Sequence, residues 1–125
     1  MLVTKDKIYC ANAGDSRAIL VRKSINGVPV VVELSSDHKP QNYNEFRRIT
    51  QARHKVINNR VDGDLALSRA LGDFEFKDAK EKSAKDQAVT AKPEIKVVTR
   101  TQDDWFILNA CDGIWDCLSN EECAK

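Results

Sequence analysis

No apolar run in this chain outlasts a strand, and the runs end repeatedly at glycine beside aspartate or asparagine. KIYCANAGD and SRAILVRK meet at Gly14-Asp15. Asn26-Gly27 is a hairpin signal that leads into VVVELS. EIKVVTR and DWFILNAC follow near the end, and the second stops on Cys111-Asp112-Gly113. Such punctuation confines the chain to short, turn-linked strands. Helical patterning is strongest in SDHKPQNYNEFRRITQAR, where Phe46, Ile49 and Arg53 share one face and Asn42 or Asn44 stands at the cap position. VINNRVDGD reads as a short irregular stretch or a hairpin, and LALSRALGD is not assigned by periodicity. Ser119 ahead of Glu121 and Glu122 marks a second helix start. Strands outnumber helices without a βαβ alternation, so the class is α+β with largely antiparallel sheet.

Composition narrows the function. The 125 residues suit one domain. Twenty Lys and Arg against nineteen Asp and Glu leave no basic excess to attract nucleic acid or an anionic membrane. No transmembrane run or signal-peptide core is present, which gives a cytoplasmic or nuclear expectation. Cys10, Cys111, Cys117 and Cys123 form no C-x-x-C pair, and read as reduced, partly buried thiols.

Three stretches place aspartate beside a glycine turn: Gly14-Asp15-Ser16, Gly72-Asp73 and Cys111-Asp112-Gly113. Carboxylates brought together from different strands suit a hard divalent cation. Turn chemistry is the competing explanation for each aspartate taken singly. Other signatures fail. Cys111 has no phosphate-binding arginine in the DGIWDC that follows it. An EF-hand over residues 62–73 would put Leu67 at the glycine position and Asp73 in place of glutamate. In VDGD, an aspartyl nucleophile at Asp62 or Asp64 would follow a segment too polar for a buried strand. No Walker loop exists. His38 and His54 read as surface or hydrogen-bonding residues.

CANAGDSRAIL, LSSDHKP, RVDGDLALSRALGDFEFK, AKPEI and WFILNACDGIWDCLSNEE occur in that order. Together they resemble the metal-dependent serine/threonine protein phosphatases of type 2C, over essentially the whole chain. The resemblance implies two packed antiparallel β-sheets flanked by helices, an αββα sandwich present here in incomplete form. It implies metal ligation by Asp112, with Asp15 and Asp116 forming a further metal site beside it and Gly113 allowing the chain to turn sharply. Arg60, Ser68 and Arg69 fall at structural or phosphate-adjacent motif positions. Residues 75–92 fall where the family carries its flap, and their charged, poorly patterned sequence reads as a mobile surface loop.

By the same resemblance the cofactor is Mg²⁺ or Mn²⁺, two or more ions in the complete domain. The partner is a phosphoprotein substrate, with no nucleic acid and no membrane, and the complete protein is a monomer. The family's upstream Asp-Gly-His-Gly motif and its later Asp-Asn motif are not among these residues. The expectation is therefore the central part of a catalytic domain, residues 1–125, inactive by itself. The other reading is a non-catalytic phosphatase-like protein acting as a binding module. Arg53 and His54 stand where the family carries a glycine pair after the helix, which argues against a left-handed turn at that point.

Overall fold

The computed structural model describes residues 1–125. The elements in chain order are β1 (Leu2–Val3), β2 (Lys7–Asn12), β3 (Arg17–Arg22), β4 (Val30–Glu33), α1 (Tyr43–Gln51), β5 (Val56–Ile57), β6 (Arg60–Val61), β7 (Glu94–Thr99), β8 (Asp104–Ala110), α2 (Asp112–Trp115) and α3 (Asn120–Cys123). The chain forms two compact units. The first comprises residues 1–12, 16–36 and 94–125, and the second residues 13–15 and 37–93. No helix is long and apolar enough to cross a membrane.

The first unit holds two three-stranded antiparallel sheets, ordered β1-β2-β7 and β4-β3-β8. The period-2 geometry of β2 turns Ile8 and Cys10 inward. They pack on Ala18 and Leu20 of β3 and on Leu34, which joins the two sheets face to face. β3 is the middle strand of its sheet and is covered on both sides, so its interior is continuously apolar. Ile19 and Val21 point away from the first sheet and are covered by Trp115 and Ala124. The outward residues Leu2, Tyr9 and Val97 lie in register across β1, β2 and β7, and with Ile95 they present an exposed apolar face.

At the end of this unit Ser119 caps α3 in a reciprocal capping box with Glu122, as the sequence indicates. The thiols differ from the expected uniform partial burial. Cys10 is buried in the inter-sheet core, Cys123 is half-buried, and Cys111 and Cys117 are exposed because they flank an outward-facing turn.

The second unit is built around α1, whose Ile49 packs with Val61, Ala70, Phe76 and Val89. Asn42 occupies the N-cap, but its side chain donates to the Asp37 carbonyl (2.8 Å) rather than capping the helix. Phe46 is exposed and Glu45 is buried, the reverse of what the apolar periodicity implies. Long-range cation pairing draws Glu45 inside, as described below. VINNRVDGD folds as a hairpin. Asn58 and Asn59 both take positive φ (52° and 62°) between paired Ile57 and Arg60, the conformation of a two-residue type I′ turn.

One expectation gains detail and another is corrected. The stretch 75–92 lies largely at the surface but is anchored: Phe76, Ala79, Ala88 and Val89 are buried, and 3₁₀ turns occur at Phe74–Phe76 and Ala84–Asp86. Its few apolar residues are spaced irregularly, yet they fill the face beside α1. The left-handed turn after α1 does form. Arg53 has φ 70°, with its N–H donating to Thr50 (3.1 Å) while the His54 N–H reaches Ile49 (3.2 Å). These are the paired hydrogen bonds of a Schellman cap, made without the usual glycine.

Candidate metal centre

In the first unit, β8 ends at Ala110, and extended Cys111 leads into the single helical turn Asp112–Trp115. Trp115 fixes this turn. Its ring is buried against Ile19 and Val21, and its Nε1–H donates to the Ala110 carbonyl (2.7 Å). The Arg17 guanidinium lies 5.1 Å from the ring centroid, within cation–π range. Arg17 also donates to Asn120 Oδ1 (2.8 Å), and Asn120 donates to Glu33 (3.0 Å). The turn is therefore tied to β3 and β4.

Within the turn the Asp116 N–H donates to the Asp112 carbonyl (2.7 Å). An i, i+4 spacing stacks two side chains on the same side of a helical turn, and both carboxylates are exposed. Gly113 does not use a left-handed conformation and sits inside the turn. The expected need for glycine at a sharp bend is thus not met. A Cβ there would meet no atom within 4 Å, so Gly113 leaves open space beside Asp112. Exposed carboxylate oxygens are the donor type that Mg²⁺ and Mn²⁺ prefer, so this pair suits such an ion chemically.

Asp15 belongs to the second unit, where the Gly14-Asp15 bend docks on the DHKP segment. The Gly14 N–H donates to His38 Nδ1 (3.3 Å), and the His38 N–H returns a bond to the Gly14 carbonyl (3.0 Å). Gly14 has φ 132°, and a Cβ on it would stand 3.5 Å from the Arg69 carbonyl. The backbone conformation disfavours a larger residue, whereas the 3.5 Å approach is an ordinary van der Waals contact. The Asp15 carboxylate pairs with the Lys39 ammonium.

Ser68 and Arg69 come together with two residues that pattern reading overlooks, Glu45 and Arg48. The buried Ser68 hydroxyl lies 2.7 Å from Glu45 Oε2 and 2.9 Å from the His38 carbonyl. Glu45 accepts from Arg69 Nη2 (2.6 Å) and Arg48 Nη1 (2.6 Å). Arg48 also donates to the carbonyls of Gln87 (3.0 Å), Ala88 (3.1 Å) and Ser68. Burial alone would push the Glu45 carboxyl up, but hydrogen bonds from Arg69, Arg48 and Ser68 outweigh it and hold it at about 2. The i, i+3 spacing of Glu45 and Arg48 was the only local hint of this network. Arg60 lies apart on β6, exposed, donating to the Asp64 carbonyl (2.5 Å). Neither unit by itself gathers three or more His, Cys, Asp or Glu side chains placed to hold a metal ion.

Comparison with known proteins gives a consistent result. The family model described as protein phosphatase 2C matches residues 1–125. A protein named protein phosphatase 2C homolog 2 from Aspergillus fumigatus is 52% identical over 120 residues, covering 96% of this chain and 27% of that protein. Among solved structures, a phosphatase from Toxoplasma gondii superposes with a TM-score of 0.77 at 40% identity, over 86% of this chain and 32% of the other. A serine-threonine phosphatase 2C from the same organism gives 0.75 at 26% identity, over 95% of this chain and 42% of the other. The chain spans about a quarter to a third of the length of the curated relatives it matches.

Proposed function

The chain belongs to the protein phosphatase 2C family, and from that premise we propose that it serves the metal-dependent hydrolysis of phosphoserine and phosphothreonine side chains in proteins. The observation that carries this reading is the Asp112–Asp116 turn, two exposed carboxylates one helical turn apart on a segment fixed by Trp115. Asp112 and Asp116 are proposed as metal ligands, with Gly113 leaving room beside them. Asp15 is proposed as a further ligand on the family's pattern. Mg²⁺ or Mn²⁺, when bound, supplies Lewis acidity toward a phosphoryl group and lowers the pKa of water.

The chain's own residues hold and orient. Trp115 and the Arg17–Asn120–Glu33 relay stop the ligand turn from swinging. Gly14 brings Asp15 onto the DHKP segment, where Lys39 compensates its charge. The Glu45–Arg48–Arg69 network supports Ser68 from behind. No thiolate is required: Cys111 is exposed, and the DGIWDC that follows it supplies no arginine.

The test uses the intact protein and a phosphothreonine peptide. Turnover should require Mn²⁺ or Mg²⁺ and stop with EDTA. Asp112→Asn should lower kcat/KM by about 100-fold or more, since losses of that size already follow from disturbing outer-shell partners of a metal. Asp116→Asn should cost less, and Cys111→Ser should change little. EDTA-resistant turnover, or a Cys111→Ser loss as large as that of Asp112→Asn, would overturn the proposal.

A further inference from the structure

His54 is the residue after Arg53 in the left-handed cap of α1, and its ring bridges two carboxylates. Nδ1 lies 2.6 Å from Asp62 Oδ2 and Nε2 lies 3.0 Å from Asp78 Oδ1. The imidazole is mostly buried, with 13% of its side chain exposed. It lies beside the Phe76 ring, centroids 6.1 Å apart. The bridge joins three pieces of the second unit: the end of α1, the turn after β6, and the segment following Phe76. A cavity of about 330 Å³ adjoins it, lined also by Ala52, Arg53, Ala79 and Glu81.

Two carboxylates on one ring impose a condition. An imidazolium donates from both nitrogens, whereas a neutral imidazole has a single N–H. Both bonds can therefore be made only by the protonated ring. The two acceptors are not equally held. Asp62 also accepts from the Lys55 backbone N–H (2.8 Å). Asp78 has a side chain 67% exposed, which water can solvate once His54 stops donating.

We propose that His54 is a proton-controlled latch. The imidazolium fastens Asp78, and with it residues 76–82, to the end of α1, and deprotonation releases Asp78 while Asp62 stays bound. The charged groups around the ring favour the closed form. Asp62 faces it from the turn after β6 and Asp78 from the segment after Phe76, while Glu81 on that same segment pairs with Arg53 and Lys55 lies on the ring's own turn. Burial alone would lower the His54 pKa from 6.5, but the bonds to Asp78 and Asp62 reverse this and raise it. A raised folded pKa means that the latch is closed in full below the free value and opens as pH rises through the folded one. Release leaves Phe76 in the core and Ala79 and Lys82 tied to Gln87, and loosens the exposed residues around Asp78 and Glu81. His54 of the latch stands where the family resemblance leads one to expect a glycine.

The test is an NMR titration of the His54 ring in the intact protein, with hydrogen exchange of residues 76–82 at about pH 6 and pH 8.5, either side of the histidine range. The His54 pKa should exceed that of the unfolded protein. Protection of 76–82, corrected for intrinsic rate, should fall about three-fold or more at the higher pH, the size expected for a local opening. Asp78→Asn should lower the His54 pKa by about one unit or more, as removal of an adjacent charge does. It should also remove the pH dependence of exchange, because neutral Nε2 can accept from the new amide. A wild-type His54 pKa at or below the unfolded value overturns the proposal without any variant. So does a fall in protection that survives in Asp78→Asn.

Discussion

Replacing Glu45 by glutamine tests whether the buried ionic network holds the second unit together. Glutamine keeps the shape of the side chain and one carbonyl acceptor but removes the charge that Arg48 and Arg69 share. The wild-type carboxyl is held at about 2 against an ordinary 4.5. At about 1.4 kcal/mol per unit this corresponds to about 3 kcal/mol of stabilisation at neutral pH. Loss of one partner from a buried pair costs 3–5 kcal/mol, and the lower end is expected here. Arg48 keeps its bonds to the carbonyls of Ser68, Gln87 and Ala88, and Arg69 keeps its bond to the Lys92 carbonyl.

The pH dependence is the sharper part of the prediction. A depressed folded pKa contributes in full above the unfolded value and is lost as pH falls through the folded one. The gap between wild type and Glu45→Gln should therefore be about 3 kcal/mol at pH 7 and shrink to about 1.4 kcal/mol by pH 3. Urea unfolding of the intact protein, followed by far-UV circular dichroism at each pH, measures it. A gap under about 1 kcal/mol at pH 7, the worth of an exposed pair, would refute the reasoning. An equal gap at pH 7 and pH 3 would show that the loss comes from packing rather than charge.

Two further outcomes follow from named residues. Arg53→Gly should stabilise the second unit by about 1 kcal/mol, because glycine takes the left-handed cap without a Cβ penalty and the Arg53–Glu81 pair it removes is exposed; the urea midpoint reads this directly. Trp115→Ala should destabilise the first unit by about 3–5 kcal/mol and weaken Mn²⁺ binding, measured by calorimetry, since the indole anchors the Asp112–Asp116 turn.

What depends on neighbours along the chain is legible in the order of residues alone. Alternation in KIYCAN sends Ile8 and Cys10 inward, and Asn26-Gly27 marks the connection between β3 and β4. Ser119 and Glu122 spell the capping box, and Asp112 and Asp116 are one helical turn apart on any helix. In each case the deciding interaction spans four residues or fewer, or follows from a repeat of two. The remaining features arise from contacts between segments far apart in the chain. Glu45 is buried and Phe46 is not, because Arg69, 24 residues away, supplies the charge that makes burial of a carboxylate tolerable. Residues 75–92 look solvated by composition, yet Phe76 and Val89 complete the core beside Ile49. Arg53 takes a left-handed φ where a glycine pair was expected, and the adjoining His54 ring is bound on both sides by Asp62 and Asp78, 8 and 24 residues further on. Contacts across such separations leave no periodic trace in the sequence, since what selects them is charge and volume brought together by the fold.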